Sequence, residues 1–112
     1  MQYREVVERS RAEVEVLLRS EDTTDITDAL LSAAYYDPDR QWVQCQCLTL
    51  SRHRDHNVRW VAATCLGHLA RIHRQLDLET VLQRLVEMKA DPLVSAAAQD
   101  ALDDIKFFLK FQ

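Results

Sequence analysis

Asp55-His56-Asn57-Val58-Arg59-Trp60-Val61-Ala62-Ala63-Thr64-Cys65-Leu66-Gly67 reads as the start of an amphipathic helix. Its pattern returns 36 residues later, from Asp55 to Asp91, as Asp91-Pro92-Leu93-Val94-Ser95-Ala96-Ala97-Ala98 through Leu102. In both stretches an aspartate is followed by a valine, paired alanines and a leucine at helical spacing. Repetition at roughly 20 to 50 residues marks stacked helical units, each burying its apolar face on the next. Such stacks usually bind other molecules rather than transform them.

Outward from this stretch the hydrophobic period stays helical. Tyr3, Val6, Val7, Val14, Leu17 and Leu18 predict a first helix of about four turns. Ile26, Ala29, Leu30, Ala33 and Ala34 predict a second, behind the capping side chains of Ser20 to Thr24. Asp37-Pro38 predicts a cap and first residue for a third helix reaching about Ser51. There Trp42, Val43, Cys45, Cys47, Leu48 and Leu50 are apolar on more than one side, as in an element buried between neighbours. Asp55 or Asn57 caps the fourth, with Val58, Val61, Ala62, Cys65, Leu66, Leu69 and Ile72 facing inward. Asp77 caps the fifth, with Leu78, Val81, Leu82, Leu85 and Val86 inside. Asp91-Pro92 opens the sixth, with Val94, Ala97, Ala98, Ala101, Leu102, Ile105 and Leu109 inside. Gly67, costing about 1 kcal/mol of helix propensity relative to alanine, predicts a close helix crossing. The expected fold is therefore all-α, with about six helices as three antiparallel hairpins (about 3–36, 38–75 and 77–110) in a single domain.

Composition sets the class. The chain has 112 residues, 47% hydrophobic and 29% charged, with one glycine and two prolines, which suits long helices around one core and argues against sheets or disorder. The longest uncharged run, 41–51, is about half the length of a membrane span. The charged start Met1-Gln2-Tyr3-Arg4-Glu5 has no secretory pattern. Three cysteines suit a reducing compartment, so the expected location is cytoplasmic. The net charge of −4 is uneven: residues 1–39 hold ten acidic and four basic residues, 40–75 one and six, and 76–112 seven and four. A basic middle between acidic ends suits a protein partner with patterned charge.

The 55–67 stretch resembles the second-helix signature of the HEAT repeat family: an aspartate, then Val58-Arg59, paired alanines and Leu66-Gly67. The 91–102 stretch resembles a second copy, with Ser95 where the family has arginine and Asp103 where it has glycine, as in a terminal capping repeat. The resemblance implies a short right-handed solenoid of helical hairpins presenting a groove or edge to a partner, with no enzymatic activity and no cofactor.

No residue set names a reaction or a metal. Cys45 and Cys47 sit about 200° apart on a helix and cannot chelate together. His53, His56, Cys65, His68 and His73 lack a supporting ligand at chelating spacing. The cysteines fall in apolar stripes, where thiols are inert. Asp25 with Asp28, and Asp103 with Asp104, read as solvated surface near helix starts or exposed faces. The expected catalytic and metal-ligating residues are thus none.

Two surfaces remain. Arg40, Arg52, His53, Arg54, Arg59, Arg71, His73 and Arg74, with Trp42 and Trp60 nearby, form a basic 40–75 face for nucleic acid, weakened by acidic flanks and split charges. The acidic first pair, including Glu5, Glu8, Glu13, Glu15, Glu21, Asp22, Asp25 and Asp28, suits a cationic protein. Phe107, Phe108 and Phe111 read as a cap on the stack, with Phe111 as a possible anchor. A small acidic helical-repeat protein also resembles the immunity proteins that bacteria pair with secreted toxins. That resemblance implies a partner that is a basic toxin domain, such as a nuclease, whose active surface is covered. The candidate binding residues are Glu13, Glu15, Glu21, Asp22, Asp25, Asp28, Tyr35, Tyr36 and Trp60. The alternatives are a nucleic-acid binder using the 40–75 face and a scaffold or adaptor subunit.

Overall fold

Ser10 and Glu13 decide where the first helix begins. In the computed structural model, which describes residues 5–110, the Ser10 hydroxyl accepts the Glu13 N–H and the Glu13 carboxylate accepts the Ser10 N–H. This reciprocal capping box starts α1 at Arg11, and the helix spans only Arg11–Leu18. The four-turn first helix expected from spacing is therefore wrong. Val6 and Val7 precede the helix, Val7 is exposed, and Tyr3 lies outside the described residues.

Five more helices follow: α2 Thr23–Tyr36, α3 Arg40–Leu50, α4 His56–His73, α5 Leu78–Met88 and α6 Ser95–Leu109. Among the described residues there is no strand. Asp22 caps α2 through the Thr24 N–H, and Asp55 caps α4 through the N–H groups of Asn57 and Val58. Both Asp-Pro starts move. The Asp37 carboxylate is taken by Arg11 (2.7 and 3.1 Å) and by the Asp39 N–H, so α3 begins two residues late with Asp39 as its cap. The Asp91 carboxylate is taken by Arg59 (3.1 Å) and the Leu93 N–H, so residues 91–94 make a turn and α6 begins at Ser95.

α4 is the central element, packed against α2, α3 and α6, while α1 packs on α2 and α5 on α6. Two pairs of contacts fix the direction of the inner helices. Arg59 reaches Asp91 near the starts of α4 and α6, and Gly67 meets Ala101 further along both. Likewise the turns at Ser20–Thr23 and His53–Asp55 line one depression, and Tyr35 touches His68 at the other end. The helices α2, α4 and α6 thus run in the same direction, side by side.

Between the layers lies a core including Leu30, Leu66, Leu69, Val81, Leu85 and Ile105, all fully buried, each contributing about 1.5–3 kcal/mol of transfer free energy. Alanines 62, 63, 70, 97, 98 and 101 are buried with them, which lets α4 and α6 approach. Gly67 completes that approach. A Cβ there would lie 3.2 Å from the Ala101 backbone and 2.9 Å from Asp104 Oδ2, as the expected close crossing requires.

Periodicity also placed inside several residues that are not fully buried. Cys45, Ile72 and Val86 are exposed, and α3 is buried on one side only. Its buried set includes Arg40 and Gln44, which bond to each other (2.9 Å) and to Asp77 (3.4 and 2.8 Å). Asp77 heads α5 but makes no side-chain cap, because its carboxylate is held by Gln44 and Arg40. Val61, Leu78, Leu82, Leu102 and Leu109 are half-buried rather than internal.

Candidate partner-binding surface

The acidic residues of the first pair do not form one patch. Glu13 belongs to the capping box at the start of α1, while Glu21 and Asp22 sit at the start of α2. These two starts lie at opposite ends of the pair, since α1 and α2 are joined by the short turn at 19–22. Asp22 is a cap, and Asp25 accepts the Ser20 hydroxyl at 2.9 Å. Glu15 lines a depression between α1 and α3 with Trp42, and Glu21 lines the one beside His53 and Arg54. Asp28 lies against the 5–9 segment that crosses α2. Local structure thus engages part of the expected acidic set, and the rest is spread along the molecule.

Of the three aromatic candidates, Tyr35 faces α4, whereas Tyr36 turns toward the 5–9 segment and α1, its hydroxyl donating to the Val6 carbonyl at 3.3 Å. Tyr35, on the last turn of α2, is 38% exposed, Tyr36 44% and Trp60, on α4, 39%. Trp60, Thr64, His68 and Arg71 follow at steps of four, four and three, so they share the outward stripe of α4. Tyr35 packs edge-on to His68 (5.1 Å), and the Arg71 guanidinium lies 5.7 Å from the Tyr35 ring centre. On α6 the corresponding stripe ends in Phe107, 69% exposed and edge-on to Phe108 at 4.8 Å. Arg74, in a left-handed conformation that ends α4, sits 5.2 Å from Phe108. The face of α2, α4 and α6 thus shows an aromatic residue on every helix, with the 5–9 segment lying on α2 before Tyr35. Phe107 was expected as a cap on the stack and is instead exposed; Phe111 lies outside the described residues.

Electrostatics vary across this face. Burial and the neighbouring Arg71 lower the His68 pKa, which keeps the imidazole neutral near pH 7. Burial, then the nearby Asp100, raise that of Asp104, with Arg71 opposing. By contrast, part of the basic 40–75 set is used internally. Arg40 is buried against Gln44 and Asp77, and Arg59 donates to the carbonyls of His53 and Arg54 (2.9 Å each) and to Asp91. Arg52 pairs with Glu87. The His53 ring accepts the Asp55 N–H, and Trp42 is covered by Arg11 at 3.8 Å. Arg54, Arg71 and Arg74 are the arginines of that set left outside ion pairs among the described residues.

Two of the three cysteines, Cys47 and Cys65, are buried, and a hydrogen bond with Cys47, then burial, push the Cys65 thiol well up. Cys45 is exposed on α3, outside the apolar stripe expected for it. No group of three metal-ligating side chains comes together among the described residues, and no helix of the described residues is long and apolar enough to cross a membrane.

No protein-family model matches the sequence, and no curated protein does. Among solved structures, the chain is similar to one chain of the crystal structure of a CDI complex from Cupriavidus taiwanensis LMG 19424. The two share 36% sequence identity and superimpose with a TM-score of 0.89 over 96% of this chain and 97% of that one.

Proposed function

The chain belongs to the same family as the chain it matches in the Cupriavidus taiwanensis CDI complex, and from that premise we propose that it is the immunity member of a contact-dependent inhibition pair. In this reading it acts in the cytoplasm as a non-enzymatic inhibitor, binding a toxin domain and covering its active surface. The observation that carries it is the full-length match to a member of a complex. The α2–α4–α6 face, with an exposed aromatic residue on every helix, supports it as the docking surface, because exposed aromatic side chains are the groups that interface centres use.

The finer parts of the reading are these. The toxin domain is cationic, as a nuclease is, and Glu15 and Glu21 steer it with Asp22, Asp25 and Asp28 in support. Tyr35, Tyr36 and Trp60 supply the apolar contact. The helical pairs stack as a HEAT-like, right-handed solenoid, whose outer helices α1, α3 and α5 brace the inner ones. Internal use of Arg40 and Arg59 weighs against the nucleic-acid alternative, since those charges meet carboxylates within the protein.

The test is co-production with the toxin domain proposed as its partner. Growth that stops with the toxin alone and resumes with the pair, together with a stoichiometric complex on gel filtration, is the expected result. Growth arrest that persists at excess of this chain would count against the immunity reading.

A further inference from the structure

The finishing ends of α2, α4 and α6 combine two features that sit apart elsewhere in the molecule. Large apolar side chains are exposed there, with Tyr35, Tyr36, Ile72 and Phe107 all at this end. The two guanidiniums among them are also held in place without ion pairing. Arg71 lies near the Tyr35 ring and within 3.3 Å of His68 Nδ1, and Arg74 lies near the Phe108 ring and donates to the Arg71 carbonyl at 3.1 Å. Neither forms an ion pair among the described residues. Arg71 acts on Asp104, whose pKa burial raises, through charge alone, with no ion pair between them.

Cations near helix C-termini have an ordinary explanation, since they offset the negative end of the helix dipole by about 0.3–1 kcal/mol. That explains the charge and leaves the rings unexplained. A lysine in water serves the dipole equally well, whereas a guanidinium lying over an aromatic ring has already given up part of its rotational freedom and most of its competing partners. Such a group binds a carboxylate at a smaller entropic cost than a free one. The apolar bed around it lowers the local dielectric and strengthens the pair.

We propose that this end of the molecule, where Arg71 lies by the Tyr35 ring and Arg74 by the Phe108 ring, is a docking site for an acidic segment of the protein partner. It rests on the protein-binding reading above and specifies the chemistry of the contact. The occupant follows from charge: two fixed, unpaired cations in an aromatic bed complement carboxylates on a protein. The site lies about 20 Å from the acidic start of α2, since α2 has 14 residues at about 1.5 Å each. Opposite charges at the two ends of one face would fix the partner's orientation as well as its affinity.

The test is an NMR titration of the full chain, isotope-labelled, with a hexaglutamate peptide, and in parallel with a hexalysine peptide and a short single-stranded oligonucleotide, all at low salt. The expected result is saturable hexaglutamate shifts at 35–36, 68–74 and 106–108. Binding should weaken by about tenfold in Arg71→Ala/Arg74→Ala, with Tm held to show the variant is folded. Arg54→Ala should leave it unchanged. Absence of saturable shifts, equal shifts around Arg19 and Arg54, or shifts produced by the oligonucleotide alone would overturn the proposal. Toxin neutralisation without hexaglutamate binding rejects this site and keeps the immunity reading; hexaglutamate binding without neutralisation does the reverse.

Discussion

The two ends of α4 use arginine in opposite ways. At the start, Arg59 is mostly buried and makes three hydrogen bonds, two to the carbonyls of the preceding turn and one to Asp91 ahead of α6. At the finish, Arg71 and Arg74 make no ion pair among the described residues and rest by aromatic rings at the surface. The side chain is the same and its surroundings decide its role. Where turns leave carbonyls and carboxylates converging, a guanidinium becomes an internal strut. Where helices finish together with aromatic residues, it faces outward and is available to another molecule.

This contrast sets the order of expected effects. The largest comes from parting the two helices that carry both ends. Gly67→Leu should place side-chain atoms against the Ala101 backbone and destabilise by about 3 kcal/mol, as overpacking does; chemical denaturation would measure it, and an unchanged midpoint would mean that the crossing is looser than described. Next is the strut. Arg59→Ala should cost about 2 kcal/mol, because two turn carbonyls and Asp91 lose their donor. At the other end, Arg71→Ala/Arg74→Ala should change stability by less than about 0.5 kcal/mol while weakening partner binding. Equal stability losses at the two ends would erase the distinction.

Acid should act unevenly too. Arg11, by hydrogen bond and charge, holds the Asp37 carboxyl below the usual aspartate range. Its folded pKa lies below its unfolded one, so its contribution is present above the unfolded value near 4 and lost as pH falls through the folded one. Asp37→Asn should therefore flatten the acid side of a Tm-versus-pH curve. Asp104 has the opposite sign: burial raises its pKa, so its contribution exists at low pH and is lost as pH rises through the folded value. Asp104→Asn should leave neutral-pH stability unchanged or slightly higher, the smallest effect in the series.

Much of the fold was legible in the residues. The two copies at 55–67 and 91–102 sit on α4 and α6, and the stripes at Ile26–Ala34 and Val58–Leu69 are buried. Start points were harder. Ser10 and Glu13 spell a capping box, but the spacing of Tyr3, Val6 and Val7 suggested a longer helix. The starts after Asp37 and Asp91 moved because Arg11 and Arg59, distant in sequence, claim those carboxylates. Exposure at Ile72 and Val86 was not legible, since period reveals which residues share a face and not where the neighbouring helix ends. The same limit governs the surface. Tyr35, Tyr36 and Trp60 were visible as candidates, whereas the pairing of Arg71 with Tyr35 and of Arg74 with Phe108 depends on three helices running in one direction. The acidic cluster looked stronger in sequence than in space, because helix caps separate and occupy its members.

Hydrogen–deuterium exchange of this chain, alone and with the toxin domain proposed as its partner, tests the binding face most directly. Protection concentrated on the outward stripes of α2, α4 and α6, including the amides around Tyr35, Trp60, Arg71 and Phe107, is the predicted result. Protection confined to α1, α3 and α5, with those stripes exchanging as in the free protein, would contradict it.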